Sequence, residues 1–241
     1  MESYSEFLER IGSFEVPELG INVNNFTPSN SVLQKVDENN RFSPFFGDTV
    51  VFDLSDDSKK TIKKIVDNLY FKASDCFCEK LIDTTFHMTL HDLSNSPHEE
   101  DIYKQMDGNL LRIISAIGHD TIPEQKIRMK SNNIINMVNT SIVLALCPES
   151  ENEYKKLFAI YDLFDEVYKL PYPFTPHITL AYYNRHGFSY DSGMRLKDAV
   201  RALNQHSFSF ILDTRKLFYQ RFMSMNCYIP ISRFLWSDFI N

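Results

Sequence analysis

The sequence predicts an α+β fold made of two pseudo-symmetric lobes, each a mainly antiparallel sheet packed with helices, around a central cleft. Three observations predict it. First, the stretches Phe86-His87-Met88-Thr89-Leu90 and Pro176-His177-Ile178-Thr179-Leu180 share a His-x-Thr-Leu core, with the two histidines 90 positions apart. Second, both alternate apolar and polar residues at the period of two that marks a half-buried strand. Third, the order strand, helix, His-x-Thr strand, helix, strand occurs twice, offset by about 90 residues.

Taken in order, residues 1–47 are polar and read as an arm over the domain, with a short helix at Tyr4–Ile11 and Phe42, Phe45 and Phe46 as anchors. Residues 48–231 form the bilobal domain, with lobes at 48–138 and 139–231, strands open to exchange between them, and a tail at 232–241. Thr49–Leu54 is strand-like. Ser55–Phe71 opens on Ser and two Asp and spaces Ile62, Ile65, Val66 and Leu69 as one helical face. After the His87 strand, a helix from about Pro97 carries Glu99, Glu100 and Asp101 in its first turn. Its apolar positions are Leu110, Leu111, Ile114 and Ile117, and Gly118 ends it. Strands follow at Lys126–Ser131 and Thr140–Leu146. Then come a helix at Glu151–Tyr168, the His177 strand, a helix at Ser192–Asn204, and strands at Ser207–Asp213, Lys216–Phe222 and Asn226–Ile231.

Composition narrows the function. The chain has 7 Gly and no Gly-rich phosphate loop, which argues against a nucleotide-binding fold of that type. A net charge of −7 disfavours a duplex nucleic acid surface but leaves room for a small phosphorylated ligand held by a few cations. Cys76, Cys78, Cys147 and Cys227 form no C-x-x-C pair, and neither a signal peptide nor a long apolar run is present. The expectation is a cytoplasmic monomer with reduced thiols and no membrane contact.

On each His-x-Thr strand the imidazole and the hydroxyl share one face. Two imidazoles across a cleft suit general acid–base chemistry, one neutral and one charged near neutral pH. Two Thr hydroxyls beside them would hold a phosphoryl group and stabilise charge on its oxygens, with no metal or other cofactor needed. His91 stands four residues after His87, but strand spacing would set them roughly 13 Å apart, too far to share one ion. It is assigned to the cleft rim or a solvated strand end. Tyr183, in phase with His177 and Thr179, is a candidate pocket residue. Arg128, Lys130, Arg185, Arg215 and Arg221 are candidate cations.

With these residues in place, the chain resembles the 2H phosphoesterase superfamily, named for two His-x-Thr/Ser-x motifs. That superfamily includes RNA-ligase-like proteins, cyclic nucleotide phosphodiesterases and 2′–5′ phosphodiesterases. The resemblance rests on both motifs and on Phe42-Ser43-Pro44-Phe45-Phe46-Gly47-Asp48-Thr49-Val50-Val51, similar to the opening of a poorly characterised branch. It implies that His87 and His177 are the acid–base pair and that Thr89 and Thr179 bind phosphate. It further implies metal-independent hydrolysis of a 2′,3′-cyclic phosphate or 2′–5′ nucleotide linkage, on a small nucleotide or short oligonucleotide. One departure is that some RNA-ligase-like relatives carry Arg soon after the second motif, where this chain has Tyr182 and Tyr183. A catalytically silent nucleotide or oligonucleotide binding module is the alternative.

Overall fold

The structure, a computed structural model, describes residues 2–14, 17–117 and 122–233. Its strands are β1 (Phe46–Asp53), β2 (His87–Ser96), β3 (Lys126–Met137), β4 (Ser141–Pro148), β5 (His177–Tyr182), β6 (Ser209–Asp213), β7 (Leu217–Ser224) and β8 (Cys227–Arg233). The α-helices among the described residues are α1 (Tyr4–Ser13), α2 (Asn30–Lys35), α3 (Asp56–Ala73), α4 (Glu99–Ile117), α5 (Glu151–Asp165) and α6 (Tyr190–Leu203). The class is α+β.

All eight strands join one sheet in the order β6-β3-β4-β5-β2-β1-β7-β8, and every neighbouring pair is antiparallel. The order does not follow the sequence boundary at 138/139. β3 sits with β4, β5 and β6, while β7 and β8 extend β1 and β2. Between β2 and β5, at the middle of the sheet, one registered pair is made, Met88 with Ile178.

The helices form where local chemistry favours them. Ser55, Ser150 and Ser189 cap α3, α5 and α6, each accepting from the backbone N–H three residues on. α3 buries Ile62, Ile65, Val66 and Leu69, and α5 buries Leu157, Ile160, Tyr161 and Phe164, the faces expected from their spacing. α4 corrects its expected face: Leu111 is 68% exposed, and the buried positions are Ile102, Met106, Asn109 and Ile113. The turned register has a polar cause. Asn109 donates from Nδ2 to both oxygens of buried Asp48 at 3.1 and 3.4 Å, and the Ser94 N–H and Tyr219 hydroxyl donate to the same carboxylate at 2.8 and 2.9 Å. A buried charge needs such partners, so an Asn on the inner face serves better than a Leu. Gly118 and residues 234–241 lie outside the described residues.

The arm does more than cover the domain. Phe7 and Ile11 of α1 are buried, with the Phe7 ring 5.3 Å from Tyr154 of α5. Farther on, Arg185, after β5, donates to the carbonyls of Leu33 and Val36 at 2.7 and 2.8 Å. This fixes α2, and Lys35 at its end, beside the exit of β5. Of the expected anchors, Phe45 is fully buried, Phe42 packs partly against the core, and Phe46 begins β1.

Candidate active site

Register places the four candidate residues together. One residue either side of the Met88–Ile178 pair, His87 stands across from Thr179 and Thr89 across from His177. Met88 and Ile178 point into the main core, so the four polar side chains share the opposite face. They occupy the corners of a rectangle roughly 5 by 7 Å on a side, with the two imidazoles on a diagonal. That is the scale of one tetrahedral anion.

Both histidines are held the same way. His87 Nδ1 lies 2.7 Å from the carbonyl oxygen of Thr85, and His177 Nδ1 lies 2.7 Å from that of Thr175. A carbonyl can only accept, so each Nδ1 carries the proton and each neutral ring presents a bare Nε2. Neither Nε2, nor the hydroxyl of Thr89 or Thr179, is engaged by another described protein group. Burial pushes the His87 pKa down to about 4, against the opposing pull of the Thr85 carbonyl and of Asp92 and Asp53; His177 adds repulsion. Burial lowers His177 as well, opposed by Thr175 and Asp92. Both rings are therefore neutral at pH 7 in the free protein, which corrects the expectation of one charged imidazole.

A β-bulge follows each threonine. On β2 the pairing steps from Val51–Thr89 to Val50–His91, leaving Leu90 unpaired. On β5 it steps from Val143–Thr179 to Ile142–Ala181, leaving Leu180 unpaired. Each bulge shifts the alternation by one. Past β2's bulge, Asp92 pairs with Thr49 and joins the histidine face, while His91 turns to the helix side. There His91 is 1% exposed, stacked on Tyr161 at 5.4 Å with Asp165 3.6 Å from its Nε2, not at a solvated rim. Past β5's bulge, Tyr182 pairs with Ser141 and takes the histidine face. Tyr183 turns away and is fully buried among Phe26, Phe77 and Phe188. The tyrosine in phase with His177 is thus the one before it.

Of the candidate cations, Arg128 is paired with Glu149 and Glu153, Arg185 with Glu38, Arg215 with Asp213 and Arg221 with Asp107. Lys130 is exposed on β3. Outside these candidates, Lys35 stands by Tyr182, its Nζ over the rings of Phe45 and Tyr182 at 5.0 and 5.5 Å. Burial lowers its pKa and the Asp92 charge opposes the shift. Nothing in the sequence of the arm marks it.

Beside His87 lies a cavity of about 380 Å³ lined by Val51, Asp53, Phe218, Gln220 and Tyr228, with Thr84 and Thr85 at its edge. The Tyr228 ring meets the His87 ring edge-on at 4.9 Å. The turn between β7 and β8 is pinned over this region by Asn226, which accepts from the Ile82 N–H at 2.8 Å and donates to the Lys80 carbonyl at 3.1 Å. Among the described residues no group of three or more His, Cys, Asp or Glu is placed to hold a metal ion, and no helix is long and apolar enough to cross a membrane.

No protein-family model and no curated protein matches the chain. Among solved structures, a conserved protein of unknown function from Agrobacterium tumefaciens str. C58 aligns at a TM-score of 0.63 and 14% identity, covering 89% of this chain and 96% of that one. Escherichia coli LigT in its apo form aligns at 0.44 and 15% identity over 79% and 96%, and TT0787 of Thermus thermophilus at 0.47 and 12% over 78% and 96%. The likeness to the Agrobacterium protein shows a fold shared across nearly the whole of both chains.

Proposed function

We propose that this protein is a metal-independent phosphodiesterase of the 2H type that hydrolyses a 2′,3′-cyclic phosphate or a 2′–5′ nucleotide linkage. The observation that carries this reading is the matched pair of imidazoles, each fixed through Nδ1 to a backbone carbonyl and each presenting Nε2 beside an unengaged threonine hydroxyl.

In this reading the phosphate sits within the rectangle, its non-bridging oxygens accepting from Thr89 and Thr179. One Nε2 takes a proton from water as the water oxygen bonds to phosphorus. The bond from phosphorus to the departing ribose oxygen breaks, and that oxygen takes a proton from the other histidine. Since both rings are neutral in the free protein, the acid acquires its proton as the anion binds. The phosphate charge stabilises an imidazolium that burial alone disfavours.

The test is product formation from 2′,3′-cyclic AMP with EDTA present. Turnover by the wild type that falls at least about a thousandfold in both His87→Ala and His177→Ala supports the reading. Undiminished turnover in the double variant would overturn it. Binding without product in the wild type would leave a nucleotide-binding module instead.

A further inference from the structure

We infer that the cavity beside His87 is a nucleobase subsite, and that Gln220 reads the base. The inference builds on the phosphodiesterase reading, which would place the ligand's phosphate on the histidine pair and its nucleoside next door.

Gln220 carries the argument. It pairs with Thr49, which shares a face with Val51 and Asp53, so register puts its side chain on the histidine face. The residue is 6% exposed, lines the cavity, and its buried Nε2 has no hydrogen-bond partner. An amide donor left unmade in a protein interior is costly, and native structures pair nearly all such groups. Turned toward the cavity that the side chain lines, the amide could donate to an acceptor on a ligand.

The surroundings suit a flat heterocycle. Phe218 and Tyr228 offer aromatic faces, and Val51 adds apolar floor. Asp53, which also lines the cavity and pairs across from His87, is held by Lys59 at 2.6 Å. The other half of the histidine face differs: Ile135, Val143 and Ala145 form a small apolar patch there, flanked by Met137. Its residues are buried, at 0–6% exposure, and offer no polar group that could read the edge of a base. A cavity of about 380 Å³ lies above the lower limit of roughly 300 Å³ for ligand pockets, room for one nucleoside.

The experiment compares the four 2′,3′-cyclic nucleoside monophosphates as substrates, and the four nucleoside 2′-monophosphates as calorimetric ligands, for wild type and Gln220→Leu. In the wild type, best and worst bases are expected to differ at least about tenfold, and in Gln220→Leu to fall within about threefold of each other. His177→Ala serves as the phosphate-side control. It should weaken all four ligands alike and keep their order. If no substrate turns over, the enzymatic reading fails, yet calorimetry still tests the subsite. An order of bases unchanged by Gln220→Leu, or four equal bases in the wild type, overturns the inference. Should Gln220→Leu not fold, Gln220→Glu replaces a donor with an acceptor at the same position. It is expected to reorder the four bases, and an unaltered order again overturns the inference.

Discussion

Met88 and Ile178 are cross-strand partners, and theirs is the one registered pair that joins β2 to β5. Both are buried, Met88 completely, so the contact that sets the imidazoles on their diagonal also belongs to the core. Met88→Ala should destabilise the protein by about 2–5 kcal/mol, read by urea denaturation. Turnover should fall as well, because the seam that aligns the two motifs loses its packing.

The shared Nδ1 contact separates holding a histidine from using it. In His87→Asn the side-chain amide can still donate near the Thr85 carbonyl, but nothing occupies the place of Nε2. The variant should keep a thermal midpoint close to wild type while losing turnover to the level of His87→Ala. A melting point as low as that of a cavity variant would show that the ring serves chiefly as packing.

Acid should affect stability and binding in opposite directions. His87 titrates near 4 in the folded protein and near ~6.5 when unfolded. Between these values the unfolded chain binds the extra proton, so stability is full above about 6.5 and declines as pH falls toward 4, by up to ~1.4 kcal/mol per pH unit. His87→Asn should reduce that slope, leaving the part that His177 and His91, both also lowered by burial, contribute. Sulfate, which does not itself titrate in this range, should bind more tightly as pH is lowered from about 8 to about 5, because an anion favours the imidazolium. Affinity independent of pH would break the link between the histidines and the anion.

Asp48 is a structural carboxylate, and its loss should be severe. Four donors converge on it from Ser94, Asn109 and Tyr219. Asp48→Ala strands them and should cost about 3–5 kcal/mol. Tyr219→Phe removes one donor and should cost about 1 kcal/mol.

Tyr183 offers the reverse case. Its hydroxyl is buried without a partner, so Tyr183→Phe should be neutral or stabilising by about 1 kcal/mol, with kcat and KM unchanged. A marked rise in KM would return Tyr183 to the pocket.

Periodicity locates the half-buried strands and the helical faces of α3 and α5, because such elements write their geometry into residue order; β1 and β4, buried on both faces, show instead as short apolar runs. The His-x-Thr pairs are legible for the same reason. What cannot be read are the points where order and direction part company. Nothing about Leu90 or Leu180 announces a bulge, so strict alternation misplaces His91 and Tyr183 and passes over Asp92 and Tyr182. Asn109 carries no local mark of burial because its partner, Asp48, lies 61 positions away in sequence. Lys35 and Gln220 come from opposite ends of the chain, and only the folded sheet brings Lys35 to Tyr182 and Gln220 to the cavity beside His87.

The paired bulges have one more consequence. Parity is reset immediately after each threonine, so the strand segments beyond are free to answer to the helices behind them. Sequence drift in either half can then repack the scaffold without rotating the proton-transfer groups out of place. Deleting Leu90 or Leu180, a loss of one residue, should accordingly harm the protein more than most substitutions at the same positions.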